Sequence, residues 1–199
     1  FDKLFGNFLN LKRETNADVD GHVTAIIDQV RCQGDEALVE LTKKYDGHTV
    51  DLNRISFTKT EKAEMIKQCS TEHMGALELA ANRVRDYHIR QLPQDLNYID
   101  SNGVTLGYQW KPIESIGLYV PGGTASYPST VLMNAIPAKI AGVQRIAMVV
   151  PTPDGFVNPL VLAAADIARV DEIYRIGGAQ AIAALAYGTK TVKSVDKIV

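Results

Sequence analysis

From residue 115 onward, apolar runs of strand length alternate with segments of helix length, and this alternation is the strongest constraint on the fold. Ile116-Gly117-Leu118-Tyr119-Val120 is the first run, broken by Pro121-Gly122-Gly123. A helix from about Ser129 to Ala141 follows and stops at Gly142. Arg145 to Val150 reads as a second strand, Leu160 to Ala168 as a helix with Pro159 in its first turn, and Asp171 to Ile176 as a third strand. Gly177-Gly178 turns that strand into a helix from Ala179 to Tyr187, and Asp196 to Val199 is the fourth strand. Strands joined by helices of this length pair in parallel through right-handed crossovers, and both faces of the sheet are covered. The expected fold class is therefore α/β, an incomplete doubly wound parallel sheet. Pro137 lies inside the first helix of this region, where it removes a backbone hydrogen bond and predicts a kink, either aimed at a ligand or a tolerated defect.

The chain up to residue 114 follows a different pattern and is mostly helical. Val23, Ile26, Ile27 and Val30 recur at helical spacing before Gly34. Asp35 is the expected cap of a helix carrying Leu38, Leu41 and Tyr45 and ending at Gly47. Ile55-Ser56-Phe57 alternates as a short strand, and Thr60 is the expected N-cap of the next helix. Met74, Leu77, Ala81, Val84 and His88 step along one face of a longer helix closed by Pro93. Val104 to Pro112 reads as an extended strand with Leu106, Tyr108 and Trp110 on one side. The expected organisation is an N-terminal arm over 1–16, a mostly helical part over 17–114, belonging to a second, discontinuous α/β domain, and the parallel-sheet domain over 115–199. Leu4, Phe5, Phe8, Leu9 and Leu11 give the arm an apolar face that either reaches a partner or packs on its own domain.

Composition excludes several classes. A net charge of −2, with acidic and basic residues interspersed, gives no reason to expect nucleic acid or an acidic membrane as partner. No apolar run reaches the length of a bilayer span and no signal peptide is visible. The two cysteines, Cys32 and Cys69, form no CxxC pair, which fits reduced thiols in a cytoplasmic protein. His22, His48, His73 and His88 form no HxxxH or HExxH pair and are read as packed or surface residues. Val195 to Val199 is an apolar strand with no closing element after it, as in a truncated chain.

Ligands of open parallel sheets sit at the carboxyl ends of strands, where helix N-termini offer unpaired N–H groups to anions. Two such turns are glycine-rich here, residues 119–126 and Ile176-Gly177-Gly178-Ala179-Gln180. Either can be simply a turn. The GxGxxG fingerprint is absent, and Val150-Pro151-Thr152 ends the second strand without the acidic residue that grips a ribose. Spacing alone supports a nucleotide-like or phosphate-like ligand near the sheet.

Longer words carry more. Gly117-Leu118-Tyr119-Val120-Pro121-Gly122-Gly123 with Tyr127-Pro128-Ser129-Thr130-Val131-Leu132-Met133, the stretch from Gly177 to Thr189, the segment around Gly34-Asp35-Glu36-Ala37-Leu38, and the terminal Val195-Asp196-Lys197-Ile198-Val199 closely resemble the histidinol dehydrogenase family. The resemblance implies the N-terminal part of an NAD-dependent and zinc-dependent enzyme with a Rossmann-like domain. Such an enzyme oxidises L-histidinol to L-histidine through L-histidinaldehyde with two NAD, in the cytoplasm, as a homodimer. It implies Tyr119 and Gln180 as cofactor-binding residues. In the family the Gly-Pro-Gly-Asn turn, the zinc ligands and the acid–base residues come later, so no catalytic or metal-binding residue is assigned here. The expectation for this chain alone is weak or undetectable NAD affinity and no oxidation of histidinol. Two other readings stay open: a non-catalytic α/β ligand-binding module, and another NAD-linked dehydrogenase such as an aldehyde dehydrogenase relative.

Overall fold

The computed structural model describes residues 19–122 and 127–199, so the expected arm over 1–16 and the second half of the first glycine-rich turn lie outside the described residues. The sheet has four parallel strands: β3 (Ser115–Tyr119), β4 (Arg145–Val149), β5 (Glu172–Tyr174) and β6 (Lys197–Ile198). Their spatial order is β5-β4-β3-β6. The chain steps outward from β3 to β4 to β5, then returns to lay β6 on the far side of β3, giving a switch point between β3 and β6.

Helices α5 (Pro128–Ala141) and α6 (Pro159–Ile167) make the outward crossovers, and α7 (Gly178–Tyr187) makes the return. A right-handed crossover that reverses direction must pass over the opposite face, and the packing follows. On β4, Ile146 and Met148, with Val150 just past its end, enter the core beneath α5 and α6. Ala147 and Val149 enter the core beneath α7. This period-two division explains why a strand covered on both faces reads as one continuous apolar run. Gly117 on β3 admits α7, because a Cβ there would stand 2.8 Å from Leu185 Cδ1.

The helices before the sheet complete both layers. The helix over 19–33, α1, brings Val30, and α2 (Asp35–Asp46) brings Ala37, Leu38 and Leu41, to the α7 side. Helices α3 (Lys59–Ile66) and α4 (Thr71–Ile89) pack on α5 and α6, with Ala81 fully buried and Leu77 and Val84 partly so. The expected stripe on α4 thus faces the sheet layer, with His88 partly buried and edge-on to the Tyr87 ring at 5.2 Å between centroids. The strands β1 (Leu96–Ile99) and β2 (Thr105–Tyr108) form an antiparallel ribbon exposed on both faces.

Several local expectations are corrected. Gly34, not Asp35, is the N-cap of α2; the Asp35 carboxylate instead accepts from the Thr191 hydroxyl at 2.8 Å. Thr58, not Thr60, caps α3, because Thr58 and Glu61 close a reciprocal capping box. Ile55-Ser56-Phe57 makes a single antiparallel bridge, Ser56 to Tyr174, along the β5 edge rather than a strand. The strand expected over 104–112 is confined to Thr105–Tyr108, and its partner β1 was not foreseen. Pro137 does not interrupt α5, which runs on to Ala141 and closes at Gly142 in the left-handed conformation.

Candidate functional site

The carboxyl ends of β3, β4 and β5 converge on Pro151. This residue lies two positions past the end of β4, between two glycines. A Cβ on Gly122, after β3, would stand 2.8 Å from Pro151 O, and one on Gly177, after β5, would stand 2.4 Å from Pro151 Cγ. Neither position has room for a side chain, so glycine is required there by close approach. Gly178 is required by conformation as well: its φ is +64°, and a Cβ would meet Gln180 Oε1 at 2.5 Å.

The two glycine-rich bends are in direct contact. Tyr119 ends β3, half-buried on the α7 side, and its hydroxyl accepts a hydrogen bond from the Gly178 N–H at 3.1 Å. The first N–H groups of a helix have no intrahelical acceptor. Gly177, as the N-cap of α7, supplies no side-chain cap, so the Tyr119 hydroxyl serves the first of these donors. Gln180 lies in the same helical turn, 1% exposed, with its side-chain amide folded over Gly178. Its Nε2 is buried and has no hydrogen-bond partner. Thr152, after Pro151, is fully buried and its Oγ1 is likewise unpartnered.

Tyr119 and Gln180, both singled out from sequence, are thus brought to one place on one face of the sheet. Pro151 and Thr152 were noted in the sequence only for lacking an acidic group. The structure makes Pro151 the wedge that fixes both bends and Thr152 a second buried polar atom with no protein partner. A buried N–H left unpaired costs about 1–3 kcal/mol, so the Gln180 amide in the first turn of α7 marks a place where a polar ligand could complete the pairing. The N-terminus of α7 favours an anion, and the glycines let a ligand approach the backbone. The described part of the cradle carries no carboxylate, imidazole or thiol. It can bind and orient a ligand, but has no group for acid–base or nucleophilic work.

Among the described residues no group of three His, Cys, Asp or Glu side chains is placed to hold a metal ion. Cys69 is partly buried and its thiol is pushed up by that burial, which disfavours the reactive thiolate. No helix of the described residues is long and apolar enough to cross a membrane.

Comparison with known proteins gives a single answer. The family described as "Histidinol dehydrogenase" matches residues 9–199. Proteins named histidinol dehydrogenase from Ruegeria pomeroyi and Cereibacter sphaeroides are 55% and 54% identical to the chain over 198 residues, which is 100% of this chain and 46% of each relative. The chain therefore spans about half the length of the curated relatives it matches, and corresponds to their N-terminal portion. The crystal structure of histidinol dehydrogenase from Elizabethkingia anophelis superimposes with a TM-score of 0.86 at 34% identity, covering 90% of this chain and 41% of that one.

Proposed function

The chain belongs to the histidinol dehydrogenase family, a family of oxidoreductases, and we propose that its part in that activity is to hold NAD across the carboxyl ends of β3, β4 and β5. The observation that carries this is the contact between the two bends: the Tyr119 hydroxyl on the Gly178 N–H, with the buried, unpartnered Gln180 amide beside it. When bound, NAD supplies a hydride acceptor. Everything this chain does for the reaction is binding and orientation. Tyr119 offers a ring face and a hydroxyl, and Gln180 an amide donor. Gly122 and Gly177 leave the backbone open to close approach. With no acidic residue ending β4, the grip on the cofactor is light, and the expected affinity is weak, about millimolar.

The proposed overall reaction is oxidation of L-histidinol to L-histidine through L-histidinaldehyde with two NAD, carried out in the cytoplasm by a homodimer that binds neither nucleic acid nor membrane. The proposed zinc dependence finds no ligand set among the described residues, so no zinc ligand is assigned to this chain and no step is derived through the metal. Support for a homodimer comes from exposed apolar side chains on the β1–β2 ribbon, among them Leu96, Tyr98, Leu106 and Tyr108, which an assembly would cover.

The test is a titration of the 199-residue chain with NAD followed by backbone amide NMR, beside an assay for reduced cofactor with L-histidinol. Weak binding centred on Tyr119, Gly178 and Gln180, with no turnover, is expected. Turnover by this chain alone would refute the assignment of catalysis to residues outside it.

A further inference from the structure

A hollow of about 270 Å³ lies where α4, α5 and α6 meet, and nothing assigned so far uses it. α4 contributes Arg85, the last turn of α5 contributes Lys139 and Ile140, and the end of α6 contributes Ile167, Ala168 and Arg169. Among the described residues its lining holds three cations and no carboxylate. The ends of α5 and α6 lead directly into β4 and β5, so the hollow belongs to the amino ends of the strands. Tyr119 and the start of α7 stand at the other end of the parallel sheet.

Arg169 stands where glycine is the usual choice. α6 closes with Arg169 N–H on Asp166 O at 3.0 Å and Val170 N–H on Ala165 O at 2.9 Å. α5 closes with the same pair of bonds, Gly142 N–H on Lys139 O at 3.1 Å and Val143 N–H on Ala138 O at 3.0 Å. This motif places one residue in the left-handed region. In α5 that residue is Gly142, at φ 94°; in α6 it is Arg169, at φ 59°. A Cβ is strained there, so the backbone alone favours glycine at both ends. A cation near a helix C-terminus answers the helix dipole, but Lys139 does that for α5 from within the last turn and without strain. The arginine at 169 is therefore to be explained by its side chain, which is exposed and makes no ion pair among the described residues.

The other two cations differ from each other. Lys139 is neutralised by Asp171 at 2.8 Å and forms wall rather than anchor. Arg85 is partly buried, and the partner of its Nη1 is neutral, Asn82 Oδ1 at 2.7 Å. The nearest acid on α6, Asp166, is paired with Lys62 at 2.8 Å. Two guanidiniums on different elements, neither paired with a carboxylate among the described residues, thus line one hollow beside Ile140 and Ile167. The planar fork of a guanidinium matches the oxygens of a phosphate, and two of them match a dianion. We propose that this hollow binds a phosphate monoester, its phosphate held by Arg85 and Arg169 and its organic part laid against Ile140 and Ile167. The site stands apart from the cofactor cradle and does not depend on the NAD reading.

The experiment titrates the 199-residue chain at neutral pH and constant ionic strength with inorganic phosphate, phenyl phosphate and, as control, chloride, followed by amide NMR. Both phosphates are expected to shift Arg85, Ile140 and Arg169 and to leave Tyr119 and Gly178 unmoved. Phenyl phosphate is expected to bind about tenfold more tightly, through the apolar wall. Arg85→Met keeps the stem and removes the charge, and is expected to weaken both phosphates about tenfold, the loss of one charge-assisted contact. Arg169→Gly is the discriminating variant. It is expected to weaken the phosphates by a similar factor while raising the thermal midpoint, because glycine relieves the left-handed strain. A midpoint that falls in Arg169→Gly, or phosphate binding indifferent to either substitution, overturns the inference. So do shifts that chloride reproduces, or an absence of shifts at the hollow with either phosphate. Inorganic phosphate binding as tightly as phenyl phosphate overturns the monoester in favour of the free ion.

Discussion

Glycine carries most of the candidate site at the scale of single residues, and glycine is visible in a sequence. What it does there is not. Gly122 and Gly177 could each have been an ordinary turn residue; the 2.8 Å and 2.4 Å clashes that a Cβ would make with Pro151 are properties of three strand ends meeting. For that reason Gly177→Ala is expected to cost about 1–3 kcal/mol, the range of overpacked sites, and to lower the thermal midpoint accordingly. Chemical denaturation measures it. Tyr119 was named from the sequence by family likeness, but its hydroxyl bond to Gly178 depends on β3 and β5 lying on either side of β4 in one sheet. Tyr119→Phe removes that acceptor. The expected loss is about 0.5–1.5 kcal/mol of stability, together with weaker hydrogen-exchange protection at Gly178. Thr152 was illegible because an unpartnered hydroxyl has no sequence signature.

Local chemistry decides which expected elements survive. Thr58 displaced Thr60 as the cap of α3 because Glu61 stands three residues on, the spacing of a capping box. Glu61 does more than cap: the Arg54 hydrogen bond first, then the Thr58 backbone N–H, lower its carboxyl from 4.5 to about 2. A carboxylate depressed in the folded state stabilises above its unfolded value and loses that contribution as pH falls through its folded one. Stability should therefore fall between pH 4.5 and about 2, by about 1 kcal/mol from this group once water contact is allowed for. Thermal melts across that window check it, with Glu61→Gln expected to start lower at neutral pH and slope less. At the other end of the sheet, Arg145 holds Glu172 through two hydrogen bonds of 2.9 and 3.0 Å and donates to the carbonyls of Lys193 and Ser194. It joins β4, β5 and the segment leading to β6. Arg145→Met strands a partly buried carboxylate and should cost about 3 kcal/mol, read as a shift in denaturation midpoint. The β1–β2 ribbon was half-missed for a local reason. Asp100 accepts from the N–H groups of Asn102 and Val104, closing a hairpin turn, but Leu96–Ile99 is only four residues long, exposed throughout and interrupted by Asn97, so it shows no buried, alternating face.

At the scale of the whole molecule, the parallel sheet was legible because a strand buried on both faces reads as an apolar run, as β3 and β4 do, and such runs alternating with helices admit few topologies. The order β5-β4-β3-β6 was not legible, since no single run states which neighbour it takes. Nor was the coating of both faces by α1 to α4, which periodicity assigns to a buried stripe without naming the surface beneath it. That order puts Tyr119 and Gln180 side by side, and the NAD proposal depends on their proximity. The most direct test is to add NAD to the 199-residue chain and map the amide shifts at saturating cofactor, for the wild type and for Gln180→Ala. Shifts at Tyr119, Gly122, Gly178 and Gln180 that weaken together in the variant are the predicted result. Shifts confined to another surface, or a response indifferent to Gln180, would contradict it.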